Sequence, residues 1–339
     1  MVITGMSYEE LVEKLTSLGM ERYRADQIAD WIYKKLVFDF TQMTNLPKTA
    51  RNDLSQRFGI HRLELSEVQT SRDGTRKYLW KLFDGEYVES VSIPYSDRKA
   101  ACISTQAGCP VKCSFCATGQ SGFERNLNAD EIVAQMLLME FFEKEKFDNV
   151  VFMGMGEPLL NTDNVFKAIE ILSHPKLRNM GLRRITVSTV GIPEGIEELA
   201  RRYPQVRLSV SLHAPDNAVR DLIVPLNHRY PLEMVLDAVR RFQEITGKRV
   251  TFEYVLIRGI NDSLEHARKL SEILKSFKAH VNLIPVNETG AGFQKPSRKQ
   301  IQNFAQILES NGIETTVRAE KGADISAACG QLRAEKARR

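Results

Sequence analysis

The sequence predicts an α/β protein built on a partial (β/α)6 barrel, preceded by a small helical domain and a β-hairpin extension. From about residue 100 onwards, strand-like and helical runs alternate, as they do when parallel strands are joined by helical crossovers. Roughly six such units fall short of the eight that close a full barrel, so we expect one open side. The expected divisions are a helical domain at 1–60, a hairpin extension at 61–95, the partial barrel at 96–320 and a C-terminal segment at 321–339.

The composition is that of an ordinary soluble globular protein, with 42% hydrophobic and 27% charged residues among 339. The first residues lack the basic flank and apolar core of a signal peptide, and the longest nearly apolar stretch, around 133–142, is too short to span a bilayer. Five cysteines, an odd number, argue against a disulfide framework and for a reducing compartment. We therefore expect a cytoplasmic protein that does not bind membranes. The net charge of +4 permits a nucleic-acid partner without requiring one.

The N-terminal 60 residues are predicted to form three helices. Ser7 and Glu10 make a capping box at the start of the first helix. The other two helices are predicted at about 24–36 and 47–58. Basic clusters at 22–24 and 34–35 could contact RNA or form a solvated helical surface, and charge alone leaves both interpretations open.

A β-hairpin is predicted next, with strands at 76–83 and 86–94 joined at Asp84-Gly85. Glu89 lies in the second strand, on a face that is otherwise apolar. A carboxylate in that position must be ion-paired, protonated or functional.

The barrel region is predicted to contain seven strands, near 101–105, 149–153, 184–189, 206–212, 250–256, 280–286 and 313–318. Helices are predicted between them at 129–145, 163–173, 193–203, 231–246, 263–277 and 297–311. The loops that follow parallel strands gather at one edge of the sheet, where such folds build their active sites.

The first of these loops carries three cysteines spaced CxxxCxxC, namely Cys109, Cys113 and Cys116. A structural zinc site needs four ligands, whereas a [4Fe–4S] cube held by three cysteines leaves one iron open to a small molecule. The spacing therefore predicts a reactive iron–sulfur centre. Two alternatives stay open: a zinc site completed by Cys102 or His213, and three inert thiols.

With this loop, the chain resembles the radical S-adenosylmethionine (radical SAM) superfamily. There the open iron binds SAM, whose reductive cleavage gives a 5′-deoxyadenosyl radical. The resemblance extends to residues at or just after the carboxyl ends of later strands, and it implies that these residues contact SAM. These residues are Gly156, Glu157, Ser188, Ser211, Leu212, His213 and Asn287.

The remaining two cysteines narrow the resemblance. Cys102 precedes the cluster loop, and Cys329 lies in the sequence Asp-Ile-Ser-Ala-Ala-Cys-Gly near the C-terminus. Together with Gly-Met-Gly-Glu-Pro-Leu-Leu-Asn161, they make nearly the whole chain similar to the RlmN family of adenine-C2 RNA methyltransferases. In that family the first 60 residues correspond to an RNA-binding accessory domain. Ser326 stands where that family is expected to have Asp, which affects only the local order of the Cys329 loop.

The resemblance implies a relay that uses two SAM molecules per turnover. Cys329 takes a methyl group from the first, because adenine C2 is electron-poor and is not itself a nucleophile. A radical from the second SAM activates that methyl group for addition to C2. Glu89 then accepts the C2 proton, and Cys102 attacks Cys329 to form a transient disulfide that releases the RNA. Because Cys329 must meet several partners in turn, its segment is expected to be mobile.

The substrates implied by the resemblance are an adenosine in the peptidyl transferase centre of 23S rRNA and the adenosine 3′ to the anticodon of some tRNAs. Such a base must be splayed out of folded RNA to reach a buried cluster. The resemblance also implies a low-potential electron donor such as flavodoxin or ferredoxin, and we expect a monomer.

Three other functions stay open. One is that of the antibiotic-resistance relative that methylates adenine C8, although Pro158 favours the C2 enzyme. The others are a zinc-stabilised RNA-binding protein and a radical enzyme acting on a protein or small molecule. On those last two interpretations, Cys102 would be a small buried strand residue and Cys329 a tail thiol.

Overall fold

The computed structural model describes residues 1–287, 289 and 291–334, so positions 335–339 of the predicted C-terminal segment lie outside the described residues. Its α-helices are α1 (Tyr8–Ser17), α2 (Tyr23–Ala29), α3 (Lys48–Arg57), α4 (Ala117–Ser121), α5 (Ala129–Glu143), α6 (Thr162–Ser173), α7 (Pro193–Arg202), α8 (Asn217–Ile223), α9 (Leu232–Thr246), α10 (Leu264–Leu274) and α11 (Arg298–Ser310). Its strands are β1 (Glu64–Thr70), β2 (Arg76–Lys81), β3 (Tyr87–Pro94), β4 (Lys99–Cys102), β5 (Gln106–Gly108), β6 (Phe123–Asn126), β7 (Asn149–Phe152), β8 (Ile185–Thr189), β9 (Arg207–Ser211), β10 (Val250–Leu256), β11 (Ala279–Pro285) and β12 (Glu314–Val317).

One large sheet organises the chain, in the order β1-β2-β3-β4-β7-β8-β9-β10-β11-β12. Strands β4 and β7 to β12 are mutually parallel, whereas β1, β2 and β3 extend the sheet in antiparallel register. Helices α5, α6, α7, α9, α10 and α11 connect successive parallel strands. The predicted fold class, a partial barrel with a helical unit before it and a hairpin beside it, is confirmed.

The hairpin belongs to the same sheet as the barrel. Strands β2 and β3 are joined through the predicted Asp84-Gly85 turn, where Gly85 has a φ of +91°. Strand β3 then pairs with β4, so that Val91 lies opposite Cys102. Strand β1 was not predicted, because its residues are mostly polar and none of them is fully buried. This register brings Glu89 beside the first strand of the barrel.

The N-terminal helices are present, with one change. Ser7 accepts a hydrogen bond from the Glu10 N–H, and the Glu10 carboxylate accepts one from the Ser7 N–H, which confirms the capping box. The second helix is α-helical only as far as α2 and then continues as a π-helical turn over Asp30–Lys34. Both lysines at 34–35 form ion pairs with Asp30, each at 3.2 Å, so this predicted basic cluster is partly neutralised.

Between β4 and α5, the structure contains small elements that the sequence did not predict. The antiparallel pair β5–β6 and the short helix α4 surround the cysteine loop. Strand β4 ends earlier than predicted, because the N–H groups of Thr105 and Gln106 donate to the carbonyl of Met155. Helix α8 was also not predicted. No helix within the described ranges is long and apolar enough to cross a membrane.

Candidate active site

The cysteine loop is fixed by backbone hydrogen bonds. The Cys109 N–H donates to the Gly122 carbonyl at 2.8 Å, and the Cys116 N–H donates to the Cys113 carbonyl at 3.1 Å. The Ser114 N–H donates to the carbonyl of Ile223, the last residue of α8, at 3.1 Å. The three cysteines thereby line a single cavity of about 160 Å³ at the carboxyl edge of the barrel strands.

The electrostatics of this cavity fit a cationic cluster. Burial raises the pKa of the Cys109 thiol to about 12, the pKa of Cys113 well above its usual range, and the pKa of Cys116 as well, and nearby negative charges add to each effect. Thiols arranged in this way become thiolates only beside a strong positive charge. A [4Fe–4S] cluster supplies that charge, so these three donors fit one with three protein ligands.

A second group of predicted residues lines the same cavity. It consists of Gly156, Glu157, Ser188, Ser211, His213 and Asn287. The Leu212 side chain is instead buried in the hydrophobic core, and the Leu212 carbonyl accepts a hydrogen bond from the buried Arg220 at 3.0 Å. The structure therefore brings together six of the seven residues predicted to contact SAM, and it places the backbone of the seventh between two of them.

Glu157 is held by the backbone around it. It is only 3% exposed, and its two carboxylate oxygens accept hydrogen bonds from the N–H groups of Leu159 and Val190, at 2.9 and 2.8 Å. Burial nevertheless raises its pKa to about 7. Gly156 has a φ of +100°, and a Cβ there would lie 2.6 Å from Gln106, so only glycine fits this turn. The buried Glu157 carboxylate is therefore suited to pair with a cationic group of a ligand.

His213 sits in a constrained conformation at the end of β9. Its φ is +62°, which is unusual for a residue other than glycine. Nδ1 accepts a hydrogen bond from the Val255 N–H at 3.1 Å, and burial lowers the ring's pKa to about 3, so the ring is neutral with its proton on Nε2. Phe115 of the cluster loop packs edge-on against this ring at 4.9 Å between centroids.

The segment that carries Cys329 is docked against this site. Asn287 Nδ2 donates to the Cys329 carbonyl at 2.9 Å, and the Ala117 N–H donates to the Gly330 carbonyl at 2.7 Å. Further upstream, Asp324 accepts hydrogen bonds from the Ser71 hydroxyl and the Arg72 N–H in the β1–β2 turn. Ser326, which lies between Asp324 and Cys329, has a φ of +51°, in the left-handed region.

Cys102 and Cys329 share one electrostatic environment. Cys102 is buried at the end of β4, and all five cysteines are free, Cys329 being exposed. Burial, helped by the charge of Cys329, raises the pKa of Cys102 to about 12. Arg318, just after β12, lines the same two cavities as Cys329, and the charge of Cys329 is the largest influence raising the pKa of Arg318, with a smaller one from Cys102. The two cysteines outside the cluster loop therefore both interact electrostatically with one arginine.

Glu89, which the sequence left as ion-paired, protonated or functional, forms an ion pair in the structure. Its side chain is buried, and Oε1 lies 3.1 Å from Lys77 Nζ. Oε2 accepts hydrogen bonds from the N–H groups of Arg333 and Ala334, at 2.8 and 3.2 Å. Glu89 is thus tied directly to the segment that follows Cys329.

The sequence did not predict a role for Lys77, Glu253 or Arg318, although a signal for Glu253 exists. Parallel strands buried on both faces are usually apolar throughout. In contrast, β9, β10 and β11 alternate polar with apolar residues, as in Thr-Phe-Glu253-Tyr-Val. This alternation marks a polar barrel interior. Within the described ranges, no group of three or more His, Cys, Asp or Glu side chains converges on a single-ion site. A cube, in which each cysteine binds its own iron, does not require one.

Comparison with known proteins identifies two family profiles in the chain. That of the radical SAM superfamily matches residues 103–270, and that of the ribosomal RNA large subunit methyltransferase N-terminal domain matches residues 1–60. The chain is 58% identical over 332 residues to a probable dual-specificity RNA methyltransferase RlmN from Thermotoga sp. (strain RQ2), covering 98% of this chain and 97% of that protein. A protein of the same description from Fervidobacterium nodosum is 53% identical over 336 residues, covering 98% and 97%.

A solved structure agrees with these matches. The crystal structure of a radical SAM methyltransferase from Sphaerobacter thermophilus has a TM-score of 0.96 to this chain at 47% identity, covering 98% of this chain and 99% of that one. The similarity therefore spans the helical unit, the hairpin and the barrel together. The chain belongs to the RlmN family of dual-specificity RNA methyltransferases, within the radical SAM superfamily.

Proposed function

We propose that this chain methylates C2 of adenosine in 23S rRNA, at the peptidyl transferase centre, and in some tRNAs, 3′ to the anticodon, through a methyl group carried on Cys329. The observation that carries the proposal is the position of Cys329. It lines the cavity of the three cluster cysteines and also a larger cavity of about 500 Å³ inside the barrel. A carrier at this boundary can meet a methyl donor on one side and an acceptor on the other.

The cofactor side of the site would hold a [4Fe–4S] cluster on Cys109, Cys113 and Cys116. SAM would contact the lining residues Gly156, Glu157, Ser188, Ser211, His213 and Asn287, with Leu212 contributing its backbone. When bound, these groups supply a transferable methyl group and, after one-electron reduction by a donor such as flavodoxin or ferredoxin, a radical that abstracts hydrogen.

Cys329 acts in this scheme as the nucleophile that accepts the methyl group. The thiolate is the reactive form of such a nucleophile, and Arg318 lines both cavities together with Cys329. Cys329 must then move, because it meets the donor first and the RNA base afterwards. Two contacts of the docked segment would have to break: Asn287 to the Cys329 carbonyl, and Glu89 to the N–H groups of 333 and 334. Undocking would free Asn287 for the cofactor and Glu89 for the substrate.

Glu89 and Cys102 complete the reaction. Once the carbon carried by Cys329 is bonded to C2, the Glu89 carboxylate accepts the C2 proton. Lys77, 3.1 Å from Oε1, holds Glu89 in position for this transfer. Cys102 then attacks the sulfur of Cys329. The S–S bond forms as the bond from that sulfur to the methylene carbon breaks, and the methylene carbon keeps the electron pair and takes up a proton to become the methyl group. The one electron left over from the radical addition passes back to the electron donor, and the RNA is freed.

The experiment that tests this proposal uses SAM with an isotopically labelled methyl group. Peptide mass spectrometry should find labelled S-methylcysteine at position 329, and nucleoside analysis should find the label at adenine C2. The matched control is Cys329→Ala, which should give neither product. Label at C8 would replace the C2 assignment, and labelled RNA from a chain that is never labelled at 329 would refute the carrier role. A colourless anaerobic preparation that contains zinc would favour a zinc-stabilised RNA-binding protein instead.

A further inference from the structure

The larger cavity has an unusual lining for the inside of an α/β barrel. Barrel interiors are normally filled by layers of branched apolar side chains. Here the inward positions of β9, β10 and β11 carry Ser209, Glu253 and Asn282, which surround about 500 Å³ of open volume. That volume lies in the range of small-molecule binding pockets, which are recognised by a few convergent polar groups.

Glu253 is the most distinctive of these groups. It is 4% exposed, and its Oε1 accepts hydrogen bonds from the Ser209 hydroxyl at 2.8 Å and Asn282 Nδ2 at 3.1 Å. Oε2 is also buried, yet it accepts no hydrogen bond from any described residue. Arg318 Nη1 lies 3.8 Å away, beyond hydrogen-bond distance. An unsatisfied buried carboxylate oxygen is costly, so its retention on a cavity wall points to a ligand that donates to it.

Three groups then follow one another along the cavity wall. Glu253 offers an oxygen that accepts no hydrogen bond from the described residues, Arg318 is ion-paired with that oxygen at 3.8 Å and offers donors, and Cys329 lines the same cavity. The edge of adenine presents the complementary sequence: the 6-amino group donates, N1 accepts, and C2 is the next ring atom.

We infer that the barrel cavity is the pocket for the flipped substrate adenine, with the 6-amino group on Glu253 Oε2 and N1 on Arg318, so that C2 faces Cys329. This assignment rests on the proposed function and names the residues that select its substrate base. Guanine is rejected twice, because its O6 would face the carboxylate and its N1–H would face the guanidinium. Buried polar groups left unpaired in this way discriminate strongly.

The test uses full-length wild-type enzyme and Glu253→Gln with two hairpin RNAs that carry adenosine or purine riboside, which lacks the 6-amino group, at the target position. A hydrogen bond to a buried charge corresponds to roughly 10- to 100-fold in affinity. Wild type should prefer adenosine by at least about 10-fold in Kd, measured by anisotropy, and in kcat/KM. In E253Q this preference should fall to within about 3-fold. Glu265→Gln, the same chemical change at an exposed carboxylate on α10, should keep the wild-type preference.

Stability measurements separate this role from a structural one. Because Oε2 makes no hydrogen bond in the free protein, E253Q should unfold at the same urea concentration as wild type or a higher one. A destabilised E253Q that loses affinity for both RNAs equally would overturn the assignment, as would an unchanged preference for adenosine. Arg318→Met gives a second perturbation, and because Met has no donor it should remove the discrimination against 1-deazaadenosine, which lacks N1, while keeping that against purine riboside.

Labelling of Cys329 by SAM in the absence of RNA separates a failure of the pocket assignment from a failure of the proposed function. If E253Q is labelled normally and loses base selectivity, the pocket assignment stands. If wild type methylates RNA but E253Q keeps wild-type selectivity, the pocket assignment falls and the proposed function remains. If wild type is never labelled at Cys329 while binding selectivity still depends on Glu253, the pocket stands and the methyl-carrier function falls.

Discussion

Glu157→Gln should change the way in which the stability of the chain depends on pH. In the folded protein, burial raises the pKa of Glu157 from 4.5 to about 7. In the unfolded chain the carboxyl group titrates at its ordinary value. Below about pH 4.5 both states are protonated, and the buried group costs nothing. Between pH 4.5 and 7 the unfolded state loses its proton first, so wild type loses stability as the pH rises, and above 7 the loss is complete.

The magnitude follows from the two pKa values. A difference of this size corresponds to about 3 kcal/mol at 1.36 kcal/mol per pKa unit. Linkage gives a penalty of about 1 kcal/mol at pH 5 and about 3 kcal/mol at pH 8, a change of about 2 kcal/mol that E157Q should not show. The substitution also deprives the N–H of Leu159 or Val190 of an acceptor, which costs roughly 1–3 kcal/mol at every pH. The change with pH therefore isolates the ionisation.

The assay is urea unfolding between pH 5 and pH 8, followed by circular dichroism, on the full chain without cluster or SAM. Relative to wild type, E157Q should gain about 2 kcal/mol of unfolding free energy across this range. Glu9→Gln, which removes an exposed carboxylate, controls for the change in net charge. Parallel curves for wild type and E157Q would mean that Glu157 is already ionised at pH 5, and this would refute the reasoning. Added SAM should flatten the wild-type curve if its amino group pairs with Glu157.

Three further predictions concern the relay and its docked segment. Cys102→Ala should accumulate a covalent adduct with substrate RNA, seen as a shifted band on a denaturing gel; rapid turnover without an adduct would remove Cys102 from the mechanism. Cys329→Ala should lose methylation by at least about 1,000-fold while keeping the iron–sulfur absorbance, and retained activity would exclude the carrier role. Thr118→Val removes the hydrogen bond that the Thr118 hydroxyl donates to the Leu332 carbonyl, so amide exchange in 330–332 should accelerate by about 5-fold, from about 1 kcal/mol. Unchanged exchange there would mean that this contact does not hold the segment.

The sequence predicted the barrel well because its signals are local. The crossover helices other than α5 have a clear apolar face, and α5 is apolar almost all round. The strands between them are short apolar or alternating runs, so neither required knowledge of the tertiary fold. Errors appeared where a distant partner decides the structure. Strand β1 is polar and forms because β2 offers it a paired edge. Helix α2 gives way to a π turn where Asp30 meets two lysines.

The candidate site divides in the same way. Cys109, Cys113 and Cys116 were predictable because one short loop contains their whole pattern. Arg318 was not, because nothing local to it indicates that β12 ends beside a cysteine eleven positions further along the chain. Glu253 had a weak local signal in the polar alternation of its strand. That Glu253 Oε2 is buried without a hydrogen bond, however, depends on the folded barrel and cannot be seen in the sequence.

The electrostatics of the two remaining thiols suggest how the relay keeps its order. Cys102 would form an unproductive disulfide if it attacked Cys329 too early. With a pKa of about 12, roughly one Cys102 in 10⁵ is a thiolate at neutral pH, so an early attack is slow. Burial is the main cause of this raised pKa, Cys329 adds a smaller effect, and the positive charge of Arg318 opposes both. On the proposed mechanism, burial therefore keeps Cys102 a poor nucleophile while the Cys329 segment is docked.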